Sequence, residues 1–279
     1  MADPDTHPLA GLPPAARLQD MAELDGHPVT PEALAALALT NLGHFTSMRV
    51  DDGRVRGLPL HLSRLVRDCR IVFAADLDPE HVLKLVRHAV GGRTGSLVVR
   101  VTVFDPALEL GHPGATAAPH ILVTTRPVAP TVLPALRVKA CVYLRDLPMV
   151  KHVGLFGSLY HRRGAQLDGY DDALFTDPTG VVSEGATWNV GFFDGDNVIW
   201  PKADVLPGVT MGLLQQVGTH VTAPVTLDML GSMQAAFATN TSIGVRPIHM
   251  IDGVNLLDDH PILRELHATY IAIPGDSLE

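Results

Sequence analysis

Hydrophobic positions recur along this chain with two different periods, and each period predicts one kind of secondary structure. Apolar residues at helical spacing predict three helices in the first half of the chain, over residues 30–39, 60–72 and 79–90. Alternating apolar and polar residues predict four strands in the same half, over residues 44–50, 54–59, 96–104 and 120–125. The turn 51–53 joins the first two of these strands into a hairpin. The first half is therefore predicted to be an α+β unit.

A proline-rich segment divides the chain. Residues 126–134 contain three prolines in nine positions, which disfavours helix and central strand and predicts a linker between two domains. Beyond it the pattern predicts strands over 136–143, 173–177, 181–184, 188–194 and 197–200, and helices over 154–168, from Pro207 onward and over 260–270. The predicted α+β organisation has four parts: a loosely ordered extension at 1–24, a small α/β domain at 25–125, the linker at 126–134 and a large domain at 135–279.

Charge and composition exclude several classes of function. The 279 residues carry a net charge of -9, and no cluster of lysine and arginine supplies the basic face that a nucleic-acid-binding protein needs. No apolar run reaches the roughly 18 to 20 residues of a membrane span, and the first residues do not have the pattern of a signal peptide. The two cysteines are too few for a disulfide framework, so we expect a cytoplasmic protein. The histidines lack metal-ligand spacing, so no metal is expected.

One of the four lysines has a distinctive setting. Lys151 follows the apolar residues Met149 and Val150 and lies three positions before Gly154, at the start of a predicted helix. Burial at such a position lowers the pKa of an amine and makes its neutral, nucleophilic form available. The sequence therefore indicates a catalytic amine. The alternative is a lysine at a domain edge that extends its ammonium into solvent.

An acid follows this lysine in the chain. Glu184 ends a predicted strand of apolar residues, where a carboxylate needs a charged or hydrogen-bonding partner. A protonated pyridine nitrogen is a suitable partner for such a carboxylate. The alternative is an acid in a surface turn, since the sequence Ser183-Glu184-Gly185 is a common turn composition.

Donors for a phosphate come from three further places. Val209 and Thr210 fall in the first turn of a predicted helix, whose unpaired amides favour an anion. Thr241 adds a hydroxyl from a turn, and Arg64 adds a cation from a helix, although each residue is also common in ordinary turns and solvated helices. An amine for a Schiff base, a carboxylate for a ring nitrogen and donors for a phosphate together predict a site for pyridoxal phosphate (PLP).

These residues also occur in the order typical of one enzyme family. The segments concerned are HLSRL at 61–65, Lys151, GYDDAL at 169–174, VVSEG at 181–185, Asn189-Val190 and LPGVT at 206–210. Together they resemble the class IV (fold type IV) PLP-dependent aminotransferases, a family that includes branched-chain and D-amino acid aminotransferases, (R)-selective amine transaminases and aminodeoxychorismate lyase. The resemblance implies a small N-terminal α/β domain, a larger C-terminal domain with a barrel-like sheet, and a homodimer with PLP between the domains.

The resemblance also assigns roles to individual residues. It implies that Lys151 forms the Schiff base and shuttles a proton, and that Glu184 holds the pyridine nitrogen. The residues that it places around the cofactor are Arg64, Lys151, Glu184, Val209, Thr210 and Thr241. Arg100 falls where some members carry an arginine that influences binding of the substrate carboxylate; the alternative is an outward-facing strand arginine.

Three residues depart from the family pattern. Phe156 replaces a tyrosine near the cofactor hydroxyl, Thr46 replaces an acid, and Trp188 replaces a small or polar residue, as in the (R)-selective members. The predicted function is transfer of an amino group between an amino acid or amine and a 2-oxo acid or ketone. Two alternatives use the same cofactor: a lyase of the aminodeoxychorismate type that releases pyruvate, and a PLP-binding protein without turnover.

Overall fold

A seven-stranded sheet organises the first half of the chain. The computed structural model describes residues 22–128 and 133–279, and in these residues the sheet comprises β1 (Ala22–Leu24), β2 (His27–Pro28), β3 (His44–Asp51), β4 (Arg54–Val55), β5 (Ser96–Phe104), β6 (His120–Pro127) and β16 (Asp276–Ser277). The strands lie in the order β16-β4-β3-β5-β6-β1-β2. All of their pairings are antiparallel. One edge of the sheet is therefore formed by residues from the far end of the chain.

Helices lie on both faces of this sheet. The helices of the first half are α1 (Pro31–Thr40), α2 (Leu58–Phe73) and α3 (Pro79–Val90). Met48 and Val99, which are paired across β3 and β5, belong to one buried core with Leu65 of α2 and Val86 of α3. Because successive strand residues point to opposite faces, the next pair along the two strands, Ser47 and Arg100, lies on the other face, where Ala33 of α1 packs against Phe104 and Leu122.

Six strands of the second half close into a barrel. They are β7 (Leu136–Val142), β8 (Asp172–Thr176), β9 (Val182–Gly185), β10 (Asn189–Phe193), β13 (Ala235–Asn240) and β14 (Gly244–Ile251). The ring closes where Asn189 of β10 pairs with Glu184 of β9. Val138, Leu174 and Ile248, from three of these strands, are fully buried in a single core. Three short strands extend the sheet: β11 (Val198–Pro201), β12 (Val221–Ala223) and β15 (Val254–Asn255).

The remaining helices pack outside the barrel. They are α4 (Phe156–Leu167), α5 (Val209–Val217) and α6 (Pro261–Ala272), with a short 3-10 helix at Leu227–Ser232. Leu213 of α5 and Tyr270 of α6 share a core with Phe237 of the barrel. The start of α2 approaches α5 at Gly57, which has a φ of 72° and whose missing Cβ would lie 2.8 Å from Val209. A side chain at this position would separate the two helices.

The α+β fold predicted from the sequence is confirmed. The helix at 79–90 and the strand at 96–104 have the predicted bounds. The second hairpin strand, predicted over 54–59, ends at Val55, because the chain turns at Gly57 to begin α2. Most of the extension predicted at 1–24 and part of the linker predicted at 126–134 lie outside the described residues.

Candidate functional site

The main chain of Lys151 is fixed between the two halves of the molecule. Its carbonyl oxygen accepts a hydrogen bond of 2.8 Å from the amide of Phe45 on β3. Its amide donates a hydrogen bond of 3.0 Å to Oδ2 of Asp68, a fully buried residue of α2. The lysine therefore lies where β3 and α2 meet the segment that leads into α4.

The side chain of Lys151 extends into a cavity with an empty volume of about 630 Å³. Its Nζ lies 4.9 Å from the centre of the Phe45 ring. Burial, together with the nearby charges of Arg64 and Arg145, lowers the pKa of this amine to about 7. Much of the amine is therefore neutral at physiological pH, as the sequence predicts for a nucleophilic lysine.

Glu184 lines the same cavity from the end of β9. Its Oε1 accepts a hydrogen bond of 3.0 Å from Nη1 of Arg145, and its Oε2 accepts one of 3.2 Å from the amide of Leu206. Burial raises the pKa of the Glu184 carboxyl, and the ion pair with Arg145 opposes that shift. The carboxylate is thus a buried, hydrogen-bonded acid, and the alternative of a surface turn is wrong.

Arg145 is a site residue that the sequence analysis missed. Besides Glu184, it donates 2.9 Å hydrogen bonds to the carbonyl oxygens of Pro148 and Val150. One guanidinium therefore connects the acid to the loop that leads directly into Lys151. Two facts in the sequence could have indicated Arg145. A buried Glu184 needs a cationic partner, and Arg145 lies six positions before Lys151.

Arg64 and the start of α5 bring donors for an anion to the same cavity. Arg64 of α2 is buried, and burial lowers its pKa to about 10, so it stays charged at neutral pH. Val209 and Thr210 form the first turn of α5, where backbone amides have no partner within the helix. Two buried atoms, Arg64 Nε and Thr210 Oγ1, have no hydrogen-bond partner among the described residues. Such unpaired donors are what an anionic ligand requires.

Arg64 is oriented by two neighbours. Its Nη2 donates a hydrogen bond to Oγ1 of Thr46, and the same oxygen lies 2.7 Å from Nδ1 of His61. All three side chains are buried. Thr46, which replaces an acid of the family pattern, therefore still supplies a hydrogen-bond acceptor to the arginine, but without a negative charge. The positive charge of Arg64 remains available for an anion.

The two remaining predicted residues lie at the border of the cavity. Thr241 lines it and donates a hydrogen bond of 2.8 Å to the carbonyl oxygen of Ser47. Arg100 lies against Phe45, with its guanidinium carbon 3.6 Å from the ring centre and its Nε 3.2 Å from Oγ1 of Thr102. The Phe45 ring therefore contacts both Arg100 and Lys151.

The structure thus brings most of the predicted residues to one place. The predicted residues that line the cavity are Arg64, Lys151, Glu184, Val209 and Thr241. Thr210 is buried beside Val209, and Arg100 is half-buried one ring away. Trp188 also lines the cavity, and its indole nitrogen donates a hydrogen bond of 2.8 Å to Asp172.

The sequence expectation for Phe156 is wrong. Its side chain is 80% exposed and stacks on Tyr160, outside the cavity, whereas Leu155 lines the cavity instead. The helix α4 begins at Phe156, and its first residue is turned away from Lys151. The loss of a tyrosine at this position therefore removes no hydrogen bond from the site as it is arranged here.

Two further observations concern the described part of the chain. No group of three or more histidine, cysteine, aspartate or glutamate side chains in these residues is arranged to hold a metal ion. None of its helices has the length and apolar character to cross a membrane.

Comparison with known sequences matches this chain to aminotransferases. A family model described as Amino-transferase class IV matches residues 43–251. A protein named probable branched-chain-amino-acid aminotransferase, from Rickettsia bellii, is 24% identical over 271 residues, an alignment that covers 88% of this chain and 93% of that protein.

Comparison with solved structures shows the same fold. The branched-chain aminotransferase from Thermoproteus uzoniensis, solved with norvaline, matches with a TM-score of 0.80 at 22% identity, over 90% of this chain and 93% of that chain. A hypothetical aminotransferase from Mycobacterium tuberculosis, in its PLP-bound form, matches with a TM-score of 0.73 at 20% identity, over 85% and 90% of the two chains. Both likenesses extend over both halves of the molecule.

Proposed function

Because the chain belongs to the amino-transferase class IV family, we propose that it is a PLP-dependent aminotransferase, which transfers an amino group between an amino acid or amine and a 2-oxo acid or ketone. The observation that carries this proposal is that the Lys151 amine, the Glu184 carboxylate and the first turn of α5 border one cavity. When bound, PLP supplies an aldehyde and an electron-withdrawing ring, which together make amino transfer possible.

The residues present fit this cofactor. The amine of Lys151 has a pKa of about 7, which makes its neutral form available to an aldehyde. The unpaired Arg64 Nε and Thr210 Oγ1 are donors for a phosphate, together with the first-turn amides of α5. Glu184 is the buried acid for the ring nitrogen. Thr241 adds a hydroxyl at the border of the same cavity.

Lys151 is also the proton carrier in this proposal. A group whose pKa lies near the ambient pH both takes up and releases a proton readily, and burial gives Lys151 such a pKa, of about 7. The main-chain hydrogen bonds to Phe45 and Asp68 hold the lysine in position while its long side chain reaches the cavity. With the cofactor bound, Lys151 would thus take up and release the substrate proton at its Nζ atom.

The role of Glu184 is electrostatic. A carboxylate beside the ring nitrogen keeps that nitrogen protonated, which favours withdrawal of electrons from the substrate carbon. Arg145 donates to one carboxylate oxygen and the Leu206 amide to the other, which restrains the acid at the cavity. Arg145 therefore acts as a positioning residue for Glu184.

Arg100 is proposed to recognise the substrate carboxylate. Its guanidinium is half-buried against Phe45, which itself lines the cavity.

Apolar side chains on the cavity wall, including Leu155 and Trp188, favour an amino donor with a hydrocarbon side chain. The matched relative from Rickettsia bellii is named for branched-chain amino acids, so these are the first donors to test.

A homodimer is proposed on the basis of one exposed surface. Exposed apolar side chains concentrate in the segment 142–160, here called the 142–160 patch, and they are Val142, Leu144, Leu147, Met149, Phe156, Leu159 and Tyr160. An apolar concentration of this kind marks a protein interface. The patch flanks Lys151, so a second copy of the chain that covers it would also shield the site from water.

A cytoplasmic location is also proposed. Both cysteines are free, which supports this location.

The half-reaction tests the proposed function. Purified protein is loaded with PLP and mixed with valine, leucine or isoleucine without a keto acid, and the absorbance of the cofactor is followed. We expect conversion of bound PLP to pyridoxamine phosphate, reversed by a 2-oxo acid. Lys151→Ala should abolish this conversion and leave the fold intact, while the exposed control Lys202→Ala should retain it.

Other outcomes identify the alternatives. Release of pyruvate from aminodeoxychorismate without any acceptor would indicate a lyase. Bound PLP that no amino acid or amine converts would indicate a binding protein without turnover. A protein that takes up no PLP would contradict the proposal as a whole.

A further inference from the structure

A second cavity lies beside the first and is not used by the proposed reaction. It has an empty volume of about 1610 Å³ and lies between the β3–β4 hairpin, the turn that follows β13, and helix α6. Thr241 lines both cavities, and its hydrogen bond to the carbonyl oxygen of Ser47 closes the wall between them. We call this second cavity the arginine cleft.

The arginine cleft collects positive charge in an acidic protein. Its walls carry four arginines and one histidine, which are Arg49, Arg56, Arg246, Arg264 and His267. Two acids, Asp51 and Asp258, also line it. The four guanidinium charges therefore exceed the carboxylates even when His267 is neutral, although the whole chain has a net charge of -9.

Arginines on one wall are already held by an acid. Asp51 accepts from Nε of Arg49 at 2.9 Å and from Nη1 of Arg56 at 3.1 Å. Arg56 also donates to two carbonyl oxygens at the end of α6, those of Ile271 in its last turn and Ile273 just after it. One carboxylate thus orients two guanidinium groups and neutralises only one of them. These side chains together keep a net positive charge.

The other two arginines have donors to spare. Nε of Arg246 donates to the carbonyl oxygen of Pro134, and Nη1 of Arg264 donates to that of Asp259, each at 2.8 Å. Among the described residues these are the only hydrogen bonds of the two guanidinium groups. Each group has five N–H donors in a planar arrangement that matches a carboxylate or a phosphate. His267 lies one turn after Arg264 on the same face of α6.

We propose that the arginine cleft is a second ligand site, which binds a small molecule with at least two carboxylate or phosphate groups. Four arginines against two carboxylates leave an excess of two positive charges, which a ligand with two anionic groups balances. The concave shape selects a small molecule. Nucleic acid is disfavoured, since the net charge of -9 repels a long polyanion.

Binding of defined anions to the PLP-loaded protein tests this proposal. Loading with PLP fills the phosphate donors near Arg64, and the arginine variants described next distinguish the arginine cleft from the substrate site near Arg100. Inorganic pyrophosphate and tricarballylate are titrated separately by calorimetry, with acetate at equal ionic strength as the control. We expect saturable binding of at least one of the two probes and no saturable binding of acetate. The probe that binds more tightly shows whether the site prefers phosphate or carboxylate.

Single arginine variants locate the site. Arg264→Ala and Arg246→Ala should each weaken binding of the probe at least about tenfold, the scale of one lost charge-assisted hydrogen bond. Arg70→Ala, at an exposed arginine outside the arginine cleft, is the matched control and should bind as the unchanged protein does. Circular dichroism and thermal unfolding verify that each variant is folded.

Three results would overturn the proposal. They are equal binding of acetate, no saturable binding of either probe, and equal affinity in Arg264→Ala, Arg246→Ala and Arg70→Ala. None of them bears on amino transfer at Lys151, because the cofactor absorbance and the half-reaction are measured independently of these probes.

Discussion

Arg145 and Glu184 form a buried ion pair: Nη1 and Oε1 are 3.0 Å apart, and only 8% and 6% of the two side chains are exposed. A buried pair of this kind adds little net stability, because the attraction between the charges is offset by the loss of their hydration. Removal of one partner is different, since it leaves the other charge buried and uncompensated. The pair therefore serves to hold the acid in place.

Arg145→Met should destabilise the protein by about 3–5 kcal/mol, because Glu184 is left without its cationic partner. Urea unfolding measures the change in the free energy of unfolding. Arg163→Met, at an exposed arginine of α4, should change it by about 0.5 kcal/mol or less. The double variant Arg145→Met with Glu184→Gln should recover part of the loss. Equal stability of Arg145→Met and Arg163→Met would contradict the role given to the pair.

Glu184→Gln should retain PLP and reduce turnover by a factor of about 10² to 10³, the scale of losing one preorganised electrostatic partner. The amide has nearly the same shape as the carboxylate, but it carries no charge to keep the ring nitrogen protonated. Bound cofactor is measured by absorbance, and kcat by the full reaction. Glu265→Gln on α6 is an exposed control that should leave kcat unchanged. A normal kcat in Glu184→Gln would show that the acid has no electrostatic role.

Stability of the PLP-free protein should rise with pH above about 7 because of Lys151. Burial lowers the pKa of this amine from 10.5 to about 7. Between these two values the folded state binds fewer protons than the unfolded state, so the free energy of unfolding increases with pH. Urea unfolding at several pH values across this window, in wild type and Lys151→Met, isolates the contribution. An identical pH dependence in both proteins would mean that the amine is solvated.

Phe156→Glu should shift the protein from dimer to monomer, because it places a charge in the 142–160 patch. Light scattering after size-exclusion chromatography gives the mass. Leu39→Glu is a matched control, since Leu39 of α1 is 76% exposed but lies outside the patch. A dimer that persists in Phe156→Glu would place the interface elsewhere. A monomeric wild-type protein would contradict the homodimer itself.

Local signals explain why much of the fold was predictable from the sequence. Helix α3 has the predicted bounds because Asp78 caps its first turn, Pro79 starts it and Gly91 follows it. Strand β5 likewise has an unbroken apolar and β-branched pattern. The site residues Lys151 and Glu184 were also predictable from local sequence, because each is a charged residue within an apolar stretch.

The missed features depend on residues far apart in the chain. Arg145 and Glu184 are 39 positions apart, and no local pattern pairs them. Asp276 caps the start of α2 by accepting from the amide of Leu58, which is 218 positions away. The error at Phe156 has another cause. Its expected place near the cofactor came only from its distance in sequence from Lys151, and that distance does not determine the direction in which the first residue of a helix points.

The return of residues 275–278 to the first sheet has a mechanical consequence. Strand β16 pairs with β4, and Leu278 is buried in the core beneath α2 and α3, so the chain joins its two halves a second time after the proline-rich segment. Two connections between the halves restrict hinge motion, and heating should therefore melt both halves in one cooperative step.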